Sequence, residues 1–370
     1  FYLFCQTHKM HSRCLSSVRT LASSSKIDTQ SMYTFLKSNM EDYPHKDAVR
    51  SCGQHSQLEP LRWTWQELFK WSDGLSCGLL DSRVRRGDQI LSLLCNDSEN
   101  LVSFLAASRL QLEVGVSSQG GSIGVEKLKE WLGGKKAPRA VLTPTEVDGQ
   151  DQIALFRKAV PHLQSIEWGE PLRSPEFSNL KTLVQTSFNR QIGFVTLRDM
   201  FVVDPLPNPL DRLEYGNENL PLFTNLDEKK TFTHADIVSK SVAIAELAQL
   251  TTLDRVMSTL DFNTTLGRTA MLAPLTAQAV LIISTSSNSR QFQAEQTLQH
   301  LATESVNVLI TQPDHIEAMI DTPKFKSLTL NDKNHLLQRV FLSGAGDHSL
   351  VEKITTAFPQ TKGSIHSLSK

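Results

Sequence analysis

The residues that could carry chemistry in this chain are few and far apart. Ser343-Gly344-Ala345-Gly346 offers a G-x-G turn after an apolar run. A dinucleotide fingerprint also needs a third glycine and a following βα unit with a ribose-binding acid. Neither is present. Gly120-Gly121-Ser122-Ile123-Gly124 lies between a strand-like and a helix-like run and invites a phosphate-loop reading. Asp314-His315 and Asp347-His348 pair an acid with an imidazole by adjacency only. Adjacent residues do not face each other on a helix, so both pairs are expected at the surface. Thr233-His234 reads as a helix start, with Thr233 as the cap. There is no G-x-S-x-G elbow, no H-E-x-x-H and no EF-hand loop. The five cysteines (Cys5, Cys14, Cys52, Cys77, Cys95) are odd in number and contain no C-x-x-C. That argues against a disulfide framework or a zinc module and for buried, idle thiols.

The elements that must position these groups follow from the hydrophobic pattern. The chain has 370 residues, 39% hydrophobic and 21% charged, with 38 basic against 39 acidic side chains. This is a globular composition without a global field to draw nucleic acid, and no apolar run is long enough for a membrane span. From about Leu61 short apolar strands alternate with amphipathic helices. Helices are expected at Trp65 to Leu80, Glu99 to Leu110, Val125 to Leu132, Gln152 to Ala159, Ala235 to Leu247, Ala294 to Glu304 and Leu350 to Ala357. Strands are expected at Gln89 to Cys95, Glu113 to Ser117, Ala140 to Leu142, Ala279 to Ser284, Val306 to Thr311 and Val340 to Leu342. Continuous apolar strands between helices imply an α/β fold, with a layered parallel sheet covered on both faces. Residues 170–222 carry six prolines and read as a long connection. The organisation predicted is a 1–27 arm, a first α/β subdomain over 28–215 with its Pro-rich connection, and an incomplete second α/β subdomain over 216–370. No closing element is evident after Val340 to Leu342, which implies truncation or a partner at that edge.

The arm has no acidic residue before Asp28, four basic side chains and many serines. That is the composition of a mitochondrial transit peptide, and it lacks the apolar core of a secretory signal. A mitochondrial, matrix-side location is expected.

The order of several motifs resembles the AMP-forming acyl-CoA synthetases of the adenylating superfamily. Arg62-Trp63-Thr64-Trp65-Gln66-Glu67-Leu68 matches a T-W-x-E-L helix start. Arg86-Gly87-Asp88 matches a Gly-Asp turn, Leu94-Cys95-Asn96 a strand ending in Asn, and Phe104-Leu105-Ala106-Ala107 the helix that follows. Thr233-His234, Phe292 to Ile310 with Pro313, and Arg339 to Gly346 fall in the family's order. The resemblance runs over about 60 to 366. It implies the layered large domain of that family without the C-terminal lid, and it makes Gly120 to Gly124 an ordinary loop. In the family a carboxylate is activated by ATP to an acyl-adenylate and passed to CoA.

The same resemblance places the family's glycine-rich phosphate loop at Phe223 to His234. Here the stretch Phe223-Thr224-Asn225-Leu226-Asp227-Glu228-Lys229-Lys230-Thr231-Phe232 has no glycine and an acidic pair. Residues with a Cβ disfavour the φ > 0 positions such a cradle uses. At an effective dielectric of about 20, each carboxylate at ~4 Å would repel a phosphate charge by ~4 kcal/mol. Thr224 and Lys230 are what remains of that loop, and Gly344, Ala345 and Gly346 what remains of the adenine turn. The family's acyl-pocket stretch corresponds to Leu260 to Gly267, where Phe262 reads as core. At 363–367 the family's Tyr-Gly-x-Thr-Glu is replaced by Gly-Ser-Ile-His-Ser. The expectation is a non-catalytic protein, without catalytic residue, metal or cofactor. It would act as a structural or accessory subunit of a mitochondrial assembly such as a respiratory complex, with protein partners and no nucleic acid. The alternative is a fragment of an active acyl-CoA ligase, using ATP/AMP and CoA.

Overall fold

The computed structural model describes residues 31–52, 61–119, 123–134, 136–166, 172–213, 218–284, 289–328, 336–344 and 348–368. The 1–27 arm lies outside them. Two seven-stranded sheets carry the fold. In the first, the strands lie in the order Lys230–Thr233, Pro221–Asn225, Glu113–Val116, Gln89–Ser92, Ala140–Thr143, Thr182–Gln185, Val195–Thr196. In the second, the order is Ile365–Ser367, Arg339–Leu342, Val308–Thr311, Arg255–Ser258, Val280–Ile283, Asp47–Ser51, Leu61–Thr64. Pairing is parallel except at Pro221–Asn225 with Lys230–Thr233 and Asp47–Ser51 with Leu61–Thr64.

The helices predicted from periodicity all form, with ends within two residues. Their starts show what two of the family-like motifs do physically. The Thr64 side chain accepts the Glu67 amide while Glu67 accepts the Thr64 amide at 2.8 Å, a reciprocal cap that opens Trp65–Asp81. Thr233 and Asp236 do the same for His234–Leu247. Each such cap contributes about 1 kcal/mol.

The helices Trp65–Asp81, Ser98–Leu110, His234–Leu247 and Thr265–Thr276 form a middle layer. The largest core cluster joins their apolar faces to Ile90, Val114 and Val116 of one sheet and to Val49, Leu281 and Ile283 of the other. Val125–Gly133 and Gln152–Ala159 cover the outer face of the first sheet, over Leu91, Val141 and Leu183. Ala294–Thr303, Pro313–Asp321 and His348–Ala357 cover the outer face of the second. Burial on both faces is why strands such as Val280-Leu281-Ile282-Ile283 are apolar throughout.

The strands do not follow the expected division at 215/216. Asp47–Ser51 and Leu61–Thr64 pair into the second sheet, and the 221–233 hairpin pairs into the first. Strand pairing between distant segments leaves no local sign in composition. The last expected strand is also not the sheet's edge. Ile365–Ser367 pairs parallel to Arg339–Leu342 and lies outside it. At three residues with one apolar side chain, Ile365, it was too short for periodicity to show. No helix of the described residues is long and apolar enough to cross a membrane.

Candidate functional site

The stretch compared above with a phosphate loop is an antiparallel hairpin. Phe223 pairs with Phe232, Thr224 with Thr231, and Asn225 with Lys230. Side chains alternate across a strand, so Thr224 and Lys230 face opposite sides of the sheet. Thr224 is buried, and its hydroxyl lies 2.6 Å from Glu113 Oε1 and 2.9 Å from Thr231 Oγ1. Lys230 is exposed on the edge strand, its ammonium 5.2 Å from the Phe232 ring centroid.

The turn between the two strands already uses the donors a phosphate would need. The amides of Asp227 and Glu228 both donate to Asn225 Oδ1, at 3.0 and 3.1 Å. The Leu226 amide donates to the Val116 carbonyl. The surrounding donors go to the Asp227 carboxylate. Ser117 Oγ and the Ser118 amide each lie at 2.9 Å from it, Ser118 Oγ at 3.1 Å and Lys127 Nζ at 3.2 Å. Burial alone would raise the Asp227 pKa, but bonds from Ser117, Lys127 and Ser118 together hold it below the ordinary carboxylate value. Asp227 therefore takes the donors that an incoming anion would use, and adds a negative charge there. These residues do not fit a nucleotide triphosphate.

Removing that carboxylate takes the acceptor from Ser117 Oγ and from the Ser118 amide and hydroxyl, and the ion pair from Lys127, which keeps Gln119. Asp227→Ala is expected to lower stability by about 2 kcal/mol at pH 7. Because the folded pKa is depressed, this advantage exists above the ordinary carboxylate range and is lost as pH falls through the folded value. Urea midpoints of wild type and variant should therefore converge in acid.

The carboxyl ends of the two sheets meet close to this turn. The Arg290 guanidinium donates to the carbonyls of Ser117 (2.6 Å), Leu93 (2.8 Å) and Leu94 (3.2 Å), which follow two strands of the first sheet. The Arg290 amide and the Ser289 hydroxyl donate to Asp148 Oδ1. Asn96 donates to the Leu260 carbonyl and accepts the Phe262 amide, both at 2.8 Å. Asn263 donates to the Leu94 carbonyl at 2.9 Å. Phe262 is 1% exposed and belongs to the main core, as expected from sequence. Beside it lies a buried cation that the sequence reading missed. Arg268 Nη1 donates to Asn100 Oδ1 at 2.8 Å, and its guanidinium carbon stands 4.4 Å from the Phe104 ring centroid. Burial pushes the Arg268 pKa down to about 9. The available signal was an arginine in the otherwise uncharged helix Thr265–Thr276.

At the second sheet the order of the parallel strands reverses between Arg255–Ser258 and Val308–Thr311, where open α/β sheets leave a crevice. Thr259 Oγ1 lies 2.8 Å from Thr311 Oγ1 and 3.0 Å from His315 Nδ1, and the His315 ring stacks on Phe292 at 4.0 Å. His315 is thus half-buried rather than on the open surface as expected, because it begins a helix directly behind a strand end; burial lowers its pKa. His348 is exposed. Gly344 has φ +114°, a conformation that favours glycine, and its carbonyl accepts the Ser367 hydroxyl at 2.9 Å. Ala345, Gly346 and Gly120 to Ser122 lie outside the described residues. Among the described residues no group of three or more His, Cys, Asp or Glu is placed to hold a metal ion.

No family model and no curated protein matches the chain by sequence. Solved structures do match by fold. The N-terminal domain of FACL13 from Mycobacterium tuberculosis superposes with TM-score 0.65 at 14% identity, over 91% of this chain and 74% of that one. A benzoate CoA ligase from Burkholderia xenovorans gives 0.65 at 16% identity, over 90% of this chain and 60% of the ligase. Acetoacetyl-CoA synthetase from Streptomyces lividans gives 0.69 at 14% identity, over 92% and 51%. The chain therefore spans about half to three quarters of the length of these neighbours. The fold is that of the N-terminal domain of acyl-CoA synthetases, as the motif order implied.

Proposed function

We propose that this chain is a non-catalytic protein built on the acyl-CoA-synthetase fold, and that it serves as an accessory subunit of a mitochondrial assembly such as a respiratory complex. One observation carries the reading. The amides of residues 226–228 are bonded within the protein, and Asp227 occupies the neighbouring hydroxyl, amide and lysine donors. Catalysis of carboxylate adenylation depends on positioned donors that meet developing phosphate charge. A turn with its donors engaged and a carboxylate in the middle opposes both binding and charge stabilisation. In this reading ATP, AMP and CoA are not cofactors. The basic, serine-rich residues 1–27 support the mitochondrial, matrix-side location, and the near-neutral charge supports protein rather than nucleic-acid partners.

The test is ATP–pyrophosphate exchange on the purified full chain with a panel of aliphatic and aromatic acids, paired with its native mass in a mitochondrial extract. No acid-dependent exchange, and migration well above 41 kDa, is the expected result. Acid-dependent exchange would establish the opposite reading, an ATP-dependent acyl-CoA ligase, and a free monomer in the extract would remove the subunit role.

A further inference from the structure

The outer face of the first sheet has a hollow that the helices leave open. By the strand register, Gln89, Leu91, Glu113, Gly115, Thr224 and Thr231 share this face. The opposite face sends Ile90, Val114 and Phe223 into the main core. Helix Val125–Gly133 covers part of the outer face and presents Trp131 as a wall. The result is a cavity of about 370 Å³ lined by Leu91, Leu226, Trp131, Glu113, Lys136 and Lys229, among others. That is at the lower end of the range for small-molecule sites. Gly115 lies on the same face and contributes no side chain to fill it.

Glu113 is the built polar group of this cavity. It is 6% exposed. One oxygen accepts from Thr224 Oγ1 at 2.6 Å and Gln89 Nε2 at 3.2 Å, and the other from Lys136 Nζ at 2.8 Å. Two of the three partners are fixed on neighbouring strands. The third is on a lysine whose side chain is 62% exposed. The Lys136 ammonium meets the carboxylate from the solvent side, so another cation that enters from solvent can take its place. The buried carboxylate must keep a cation, but that cation need not be Lys136.

We propose that this hollow binds a small organic ammonium carried on a flat apolar body, with the ammonium replacing Lys136 on Glu113 and the apolar body lying against Trp131, Leu91 and Leu226. Of the four charged side chains that line the hollow, Glu130, Lys136 and Lys229 are exposed and can turn to solvent while Glu113 is buried, so a ligand ammonium beside Glu113 is favoured and a ligand carboxylate there is opposed. The hollow borders the 226–229 turn through Leu226 and Lys229 and is lined by neither Arg290 nor the Thr259, Thr311 and His315 group of the second sheet.

Tryptamine is the probe, with indole-3-propanoate as the same ring bearing the opposite charge, each titrated calorimetrically into the full chain. Saturable tryptamine binding with Kd below about 1 mM is expected, with the acid at least ten-fold weaker. Glu113→Gln should weaken tryptamine at least ten-fold. Lys136→Ala should strengthen it several-fold, because it removes the internal competitor. Lys136→Ala changes an exposed side chain, so it decides the matter even if Glu113→Gln fails to fold. Absence of saturable tryptamine binding, equal binding of the acid, or no gain in Lys136→Ala would each overturn the proposal.

Discussion

Alanine in place of Gly267 is expected to destabilise the protein by about 3 kcal/mol or more, enough to unfold a marginally stable domain. A Cβ built at Gly267 would stand 1.9 Å from the Asp261 carbonyl oxygen, 2.5 Å from its carbon and 3.0 Å from Thr264 Oγ1. Two of these are backbone atoms, which cannot swing aside as a side chain would. The Asp261 carbonyl is itself held, accepting the Thr264 amide at 3.0 Å and the Thr264 hydroxyl at 2.7 Å. Thr264 in turn caps helix Thr265–Thr276. Any relief of the clash would move the 260–264 segment, and with it the Asn96–Leu260, Asn96–Phe262 and Asn263–Leu94 bonds that tie the two sheets together. Chemical denaturation is the measure, and a midpoint within error of wild type would refute the account. Gly115 is the internal control. A Cβ there meets its neighbours at 3.5 Å, an ordinary contact, and φ is not positive, so Gly115→Ala should be tolerated.

Gly267 also marks the limit of what could be read from the sequence. Its place in the Leu260 to Gly267 stretch was visible, but the reason for a glycine is a carbonyl six residues back, brought close by a turn that periodicity does not encode. The regular elements were legible because parallel strands buried on both faces must be apolar, and the helices between them must carry apolar stripes. The resemblance to the acyl-CoA synthetases was legible because two of its motifs are reciprocal helix caps, whose residue types are dictated locally. The site was legible only in outline. The absence of glycine at 226–229 was plain. That Asn225 takes the turn's amides, that Asp227 gathers Ser117, Ser118 and Lys127, and that Arg290 reaches three carbonyls of the other sheet depend on pairings between distant segments. The resemblance groups Thr224 and Lys230 in one loop, whereas the hairpin register sends them to opposite faces.

Acid should weaken the fold through His234, which the sequence reading placed only as a first-turn residue. The ring is fully buried. Its Nδ1 accepts the Met32 amide at 3.3 Å and lies 3.4 Å from Ser108 Oγ, while Nε2 has no hydrogen-bond partner among the described residues. An imidazole held this way accepts through one nitrogen and has no carboxylate to stabilise a second proton. Burial pushes its pKa down from 6.5 to about 4. Above pH 6.5 the folded and unfolded chains both hold it neutral. Between about 4 and 6.5 only the unfolded chain takes up the proton, so stability falls as pH falls across that window. Below about 4 both forms are protonated and the loss is complete. The span corresponds to roughly 3 kcal/mol in order of magnitude. His300 and His315 are also lowered by burial and act in the same direction, so the wild-type profile is a sum. His234→Asn separates the contribution, because its side-chain oxygen can still accept the Met32 amide but does not titrate. The variant should be less stable than wild type at pH 7, through lost volume in the core, and should show a shallower decline between pH 6.5 and 4, so that the two stability curves approach or cross near pH 4. Urea unfolding at half-unit pH steps measures this directly. Parallel curves over that range would mean that the buried ring is protonated in the folded state and that another group drives the acid response.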